Sequence, residues 1–303
     1  MTGLLLAEKG AGVTSFQVVA HVRRILRVPK VGHGGTLDPM ATGVLQILLG
    51  AATKLAPYLL TQDKEYVATI RLGVTTDTLD ATGRVTGERP VPPLDADFIR
   101  PVLARFVGEI EQVPPMFSAL HAGGRRLHEL ARAGIEVPRA ARRVRIDAIE
   151  LLDWASPRII VRVTCGKGTY VRSLAADIGE ALSCGARLDE LSRTRLGPFA
   201  IEDAVPWALI RGGDPASLAS RVLPADRAVA HLPAVELAAG EARRLLTGQR
   251  LGPDEAGSAA GLTGLCRLHA ADGFLGIGEK DARGLRALRL LHAAHSGTRP
   301  VSR

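Results

Sequence analysis

Cysteine is scarce in this 303-residue chain, which holds three: Cys165, Cys184 and Cys266. So few thiols, so irregularly spaced, exclude a disulfide framework and a thiolate zinc site. The expectation is a reducing, cytoplasmic compartment. Aromatic residues are few as well, 4% of the chain with only three tyrosines. No stretch approaches the roughly 18 apolar residues of a membrane-spanning helix, and Met1 to Lys9 lacks the charged start and apolar core of a signal peptide. The low hydrophobicity that marks disorder is missing too, since 46% of residues are hydrophobic and 23% charged. The length suits one large domain plus a small one.

Positive charge is what the chain does have. Lys and Arg number 39 against 31 Asp and Glu, a formal net charge of +8. That sign suits a phosphate backbone, whose neutralisation releases condensed counterions, although basic composition by itself assigns no ligand.

The apolar pattern predicts a short buried strand at Leu4 to Leu6 and a helix capped by Thr14 or Ser15 and carrying Val18, Val22, Ile25 and Leu26, ending near Pro29. A glycine-dense loop starts at Gly32 and leads into a nearly continuous apolar run, Val44 to Leu49, that fits a buried strand. Tyr66, Ala68, Ile70 and Leu72 alternate with Thr69 and Arg71 as in a half-buried strand, and residues 158 to 165 repeat the style. Phe98, Val102 and Phe106 suggest a helix, with Pro101 as a local conflict. Leu174, Ile178 and Leu182 mark another helix, which Gly185 can close. Residues 114 to 143 form an arginine- and glycine-rich segment that reads as a basic insertion or flap. Short apolar pieces with frequent glycines from about residue 232 suggest a small β-rich domain.

Chemistry concentrates in one loop, Gly32-His33-Gly34-Gly35-Thr36-Leu37-Asp38-Pro39-Met40-Ala41-Thr42-Gly43. Glycines let backbone approach a ligand and tolerate unusual turns, so the loop can aim Asp38 while Pro39 stiffens the chain just beyond it. Taken alone, the pattern reads first as an ordinary Asp-Pro turn. Gly166-Lys167-Gly168-Thr169 lacks the upstream glycine and the Lys-Ser/Thr order of a P-loop. Asp77 and Asp80 sit in a Thr-rich loop, where carboxylates are usually solvated.

The loop together with Val44 and Leu45 resembles the hallmark motif of the TruB pseudouridine synthases. Similar segments occur in family order: Leu5-Leu6-Ala7-Glu8-Lys9, Asp63-Lys64-Glu65-Tyr66, Pro114-Pro115-Met116-Phe117-Ser118-Ala119-Leu120 and Gly166-Lys167-Gly168-Thr169-Tyr170-Val171-Arg172. The resemblance spans nearly the whole chain. It implies an α+β catalytic domain on a mixed or antiparallel sheet over residues 1–230, with the basic insertion at about 110–143. It further implies a PUA-like β-barrel at 231–295; the last residues, 296–303, read from the sequence as a disordered tail. The implied reaction isomerises a uridine in the T-arm loop of tRNA, position 55 in the tRNA convention, with no cofactor, no metal and no obligatory protein partner in a monomer.

By the same resemblance Asp38 is the nucleophile, Arg172 its ion-pair partner, and Tyr66 the residue that stacks on the base and is a candidate for proton transfer at carbon. His33 is expected to stack within the rearranged RNA loop, Tyr170 and Leu191 to line the pocket, and Lys9 to support the N-terminal motif. Gly10 stands where the family usually has Pro, and His121 and His128 where it has Lys and Tyr. These departures touch RNA grip, in the flap above all, and leave the Asp38 assignment intact.

Overall fold

The structure, a computed structural model, describes residues 1–118, 120–255 and 257–291. The expected tail at 296–303 and Ala119 lie outside the described residues, as does the His128 side chain. In chain order the elements are β1 (Gly3–Lys9), α1 (Ser15–Leu26), β2 (Val31–His33), β3 (Thr42–Leu49), α2 (Ala56–Leu59), β4 (Lys64–Leu72), β5 (Val74–Thr76), β6 (Val85–Glu88), α3 (Ala96–Ala104) and β7 (Gly108–Gln112). Next come β8 (His121–Ala122), β9 (Arg125–Arg126), α4 (Leu127–Arg132), β10 (Arg142–Ala155), β11 (Arg158–Cys165), α5 (Val171–Ala181), β12 (Ala186–Leu196) and β13 (Phe199–Ala200). The chain closes with α6 (Trp207–Gly212), α7 (Pro215–Ala219), β14 (Ala234–Glu236), α8 (Ala239–Leu246), β15 (Gly264–Ala270), β16 (Gly273–Asp281) and β17 (Gly284–Leu290).

The α+β class holds. A nine-stranded mixed sheet runs β1-β3-β12-β4-β11-β10-β7, with β2 on β3 and β13 on β12. All its ladders are antiparallel except β12 with β3, a short parallel pairing of Ser192 with Thr42 and Arg193 with Gly43. β3 is a nearly continuous apolar run, interrupted at Gln46, because both faces are covered. Leu45, Ile47 and Leu49 join Leu5, Ala7 and the Val18, Val19, Val22 and Ile25 face of α1. On the opposite face Leu48 joins Leu4 and Leu6 together with Ile277 and Leu291 of the C-terminal part. Burying such side chains stabilises at about 25 cal/mol per Å² of apolar surface, so this double-sided seam anchors the glycine-rich loop leading into β3. The far half of the sheet packs Ala68, Ile70, Val161 and Val163 against Leu174 and Ile178 of α5.

Several local expectations change. Gly32 and His33 belong to β2 and pair with Leu48 and Ile47 of β3, so the loop proper is shorter than the glycine pattern suggests. On α3 the buried face is Ile99, Val102 and Leu103, while Phe98 is 57% exposed. Pro101 sits inside that short helix, and Phe106 falls beyond it. Helix α5 ends at Ala181 with Leu182 as its C-cap, and Ser183 and then Gly185 follow in the left-handed region. The basic segment is bracketed by the antiparallel pairing of β7 with β10 and carries the β8-β9 hairpin and α4. The C-terminal part is a four-stranded sheet ordered β14-β15-β16-β17, joined to residue 251 by a bridge between Leu251 and Leu285.

One glycine sets the spacing of the sheet beside the loop. Gly43 has φ of +112°, and a Cβ there would stand 2.2 Å from the Arg193 carbonyl oxygen and 2.5 Å from its nitrogen. Only a residue without a side chain lets β3 and β12 approach that closely. Gly43→Ala is expected to lower unfolding free energy by at least about 2 kcal/mol from backbone strain and steric overlap. Urea denaturation checks this, and an unchanged midpoint would contradict the role given to Gly43.

Candidate active site

Asp38 occupies the turn between β2 and β3, closed by the Ala41 amide donating to the Asp38 carbonyl at 3.1 Å. The flanking chain is tied down from β1 and α1. Ser15 Oγ accepts from the Leu37 amide at 3.0 Å and donates to the Leu37 carbonyl at 3.2 Å. The Gly12 amide donates to the Pro39 carbonyl at 2.9 Å. Lys9, with no exposed surface, sends its ammonium to the carbonyls of Val13 at 2.6 Å, Gly10 at 3.0 Å and Pro39 at 3.1 Å. Desolvation brings its pKa down from 10.5 to about 8, with Asp38 opposing the shift and Arg193 adding to it. Lys9 is thus a rivet between two loops, its donors spent on backbone.

Arg172 comes from the first turn of α5, reached from β11 through a turn in which Gly168 has φ of +85°. The helix start is held by Gln112 of β7, whose amide accepts from the Tyr170 amide at 2.8 Å and donates to the Tyr170 carbonyl at 3.1 Å. From there Arg172 Nε lies 2.8 Å from Asp38 Oδ2, and Nη2 donates to Asp38 Oδ1 at 3.1 Å. Such a two-pronged fork fixes direction as well as charge. The remaining donors reach the carbonyls of Thr78 at 3.1 Å and Phe117 at 2.8 Å, which ties the basic segment to the site. The arginine side chain is 4% exposed while that of Asp38 is 35% exposed, so the cation is buried behind an anion that solvent can reach.

Asp80 corrects the sequence reading. It is buried rather than solvated, at 4% exposure, and its Oδ2 stands 3.8 Å from Arg172 Nε. Its Oδ1 accepts from the hydroxyls of Thr78 at 2.7 Å and Thr82 at 2.6 Å and from the Thr82 amide at 3.0 Å. The threonines that made the loop look like a surface turn are what satisfy the carboxylate. Sequence could have flagged this through the Thr-x-Asp-x-Thr spacing, a local hydrogen-bonding pattern for an aspartate.

Tyr66 and Leu191, each 8% exposed, share the apolar wall with Leu37 and Ala41. They project from neighbouring strands, since Tyr66 of β4 pairs with Arg193 of β12 and Ala68 with Leu191. Burial pushes the Tyr66 phenol above its ordinary pKa, the Arg193 cation opposes that shift, and the Asp38 charge is close enough to add to it. His33 sits half-buried on β2 with its Nδ1 unpartnered; burial and then Arg193 lower its pKa and favour the neutral ring. Tyr170 is half-buried at the start of α5. Asp38, Arg172, Tyr66 and Leu191 therefore converge, with Lys9 behind them. Arg193, fully buried beside Tyr66, was not legible as a site residue because its position depends on strand register.

A cavity of about 420 Å³ lined by Gln62, Asp63, Arg195 and His231 opens past the Leu196 end of β12 and includes none of these side chains. Among the described residues no helix is long and apolar enough to cross a membrane.

The TruB pseudouridylate synthase N-terminal model matches residues 23–171, and two TruB C-terminal models match 172–230 and 233–291. The tRNA pseudouridine synthase B of Aromatoleum aromaticum is 48% identical over 282 residues, 93% of this chain and 90% of that protein. The chain belongs to the TruB family. The tRNA pseudouridine synthase B of Chromohalobacter salexigens is likewise 48% identical, over 91% of this chain and 89% of that protein. Among solved structures, a Cbf5-Nop10-Gar1 complex contains a chain with TM-score 0.76 and 28% identity, covering 96% of this chain and 85% of that one.

The departure of this TruB chain at Gly10 has a packing cause. A Cβ at Gly10 would lie 2.7 Å from Trp207 Cδ1, because the α6 indole lies over this backbone and meets the His21 ring edge-on at 5.2 Å between centroids. The residue is matched to Trp207. Gly10→Ala is expected to destabilise by about 1–2 kcal/mol from overpacking, and a Trp207→Ala background to erase that penalty. A double-mutant cycle by urea denaturation reads the coupling; additive effects would contradict the match.

Proposed function

We propose that this chain isomerises the T-arm loop uridine of tRNA, position 55 in the tRNA convention, to pseudouridine, with Asp38 as nucleophile. The observation that carries this reading is a solvent-accessible carboxylate aimed by a buried arginine fork. Isomerisation breaks the bond between N1 and C1′, turns the base, and rejoins C5 to C1′, so no redox partner or external group is consumed. A carboxylate nucleophile splits that displacement into two easier steps. Arg172 keeps the carboxylate directed, and Asp80 balances the arginine once Asp38 becomes covalently engaged.

The target base is stacked inside a folded RNA loop and has to be extruded, at a cost of a few kcal/mol. Tyr66 then supplies the ring against which it lies and a hydroxyl for proton transfer at C5. Leu191 and Tyr170 bound the pocket, and His33, neutral and on the rim strand, stacks within the rearranged loop. The net charge of +8 and the arginines of the 110–143 segment favour the phosphate backbone. The sheet from β14 to β17 acts as a PUA-like accessory surface within a second domain beginning near residue 231. The higher identity to the chains named tRNA pseudouridine synthase B than to the chain from the Cbf5-Nop10-Gar1 complex favours a cytoplasmic monomer that works without guide RNA or protein partner.

A T-arm stem-loop transcript tritiated at carbon 5 of uridine tests the reading. Wild type is expected to release tritium, and Asp38→Asn to lose at least about 10³-fold in rate, as when a nucleophile is removed, while still binding the transcript. Failure of the purified wild type to form pseudouridine, or full activity of Asp38→Asn, would reject the reading.

A further inference from the structure

Arg193 is a buried cation with no counter-ion among the described residues. It is 1% exposed, its Nε donates to the Val44 carbonyl at 2.8 Å, and its Nη2, sealed from solvent, has no hydrogen-bond partner. None of the ion pairs among the described residues includes it, although Arg172 nearby has two carboxylates and Arg195 on the same strand has Glu65. Burying a guanidinium in this condition opposes folding.

Strand register fixes what the cation faces. Arg193 lies directly opposite Tyr66 between β12 and β4, a pairing that places the two Cβ atoms about 5 Å apart on one face of the sheet. Set there by register, the Arg193 charge is close enough to act on the phenol and lowers its pKa against the effect of burial. The other groups acting on that phenol are Cys165 from β11 and Asp38 from its turn. Both work with burial to keep the hydroxyl protonated, and Arg193 is the group that opposes them. Lys9, His33 and Lys64 also surround Arg193, and its charge depresses the pKa of each.

We infer that Arg193 is a positioning residue for Tyr66, the counter-ion that lets the Tyr66 oxygen accept the C5 proton of the isomerising base. The inference rests on the proposed pseudouridine synthase activity. Once C1′ is joined to C5, that carbon still holds its hydrogen and C6 is doubly bonded to N1. The Tyr66 phenolate takes the proton, the C5–H electron pair becomes the C5–C6 double bond, and the C6–N1 pair moves to N1. N1 takes a proton from water, and the Tyr66 phenol returns its own to solvent. Nothing is oxidised or reduced, and the product is an isomer of the substrate. A neutral phenol is a poor proton acceptor, so the rate follows the phenolate fraction, which a neighbouring cation raises about tenfold for each unit by which it lowers the pKa.

Single-turnover pseudouridine formation on the T-arm stem-loop, followed against pH with ordinary and 5-deuterated uridine, tests this. Arg193→Met is expected to react about 10–100-fold more slowly at neutral pH, with the rising limb of its pH profile displaced upward by about one to two units. Its deuterium isotope effect should exceed that of wild type, because proton removal becomes the slow step. RNA affinity should be retained, and Arg193→Lys, which restores the charge, should recover most of the rate. If Arg193→Met does not fold, Arg193→Gln, which retains a donor for the Val44 carbonyl, gives the same readings. A variant without the charge that keeps the wild-type pH profile and isotope effect overturns the inference, however slow it is. Absence of activity in wild type would instead remove the functional reading beneath it.

Discussion

The ion pair between Asp38 and Arg172 is the constraint around which this chain is organised. Neither residue is placed by its own local sequence alone. The carboxylate sits on a turn riveted by Lys9 and Ser15, and the guanidinium comes from a helix whose first turn is held by Gln112. A fork with contacts of 2.8 and 3.1 Å requires both frames to be rigid. Burying the arginine strengthens the attraction, because water screens it less. The same burial would be costly without the Thr78 and Phe117 carbonyls and the second carboxylate of Asp80.

The mixed sheet delivers those frames. Its parallel contact between β3 and β12, made at Gly43, brings the loop strand beside the strand carrying Leu191 and Arg193. The antiparallel ladder of β12 with β4 then sets Tyr66 against them. Apolar burial on both faces of β1 and β3 resists any sliding of this seam, since a one-residue slip would turn every side chain to the wrong face. Part of that burial comes from Ile277 and Leu291, so the C-terminal sheet supports the catalytic half as well as extending its surface.

Much of this was legible in the sequence. The run from Val44 to Leu49, the alternation from Tyr66 to Leu72, and the periodicity of α1 carry strand and helix signals that tertiary packing reinforces. The long motif around Asp38, with the later Gly-Thr-Tyr-Val-Arg segment, pointed to the pair that the structure brings together. Most of what was missed depended on a partner distant in the chain. Phe98 looked like a core residue until packing chose Ile99 and Leu103 for burial. Asp80 looked solvated although Thr78 and Thr82 satisfy it locally, and its other partner, Arg172, lies far along the chain. Gly10 is explained only by an indole at position 207, and Arg193 only by the register that sets it opposite Tyr66.

The most direct measurement of the central claim is single-turnover pseudouridine formation at saturating T-arm RNA by Arg172→Lys, with RNA affinity measured in parallel. Lysine keeps the charge but cannot reproduce the two-pronged contact. If the guanidinium aims the carboxylate, the saturated rate falls by about 10²-fold or more, as expected when reacting geometry is lost, while affinity holds. A saturated rate equal to wild type with affinity sharply weakened would mean that Arg172 serves as an RNA anchor, and would contradict the account.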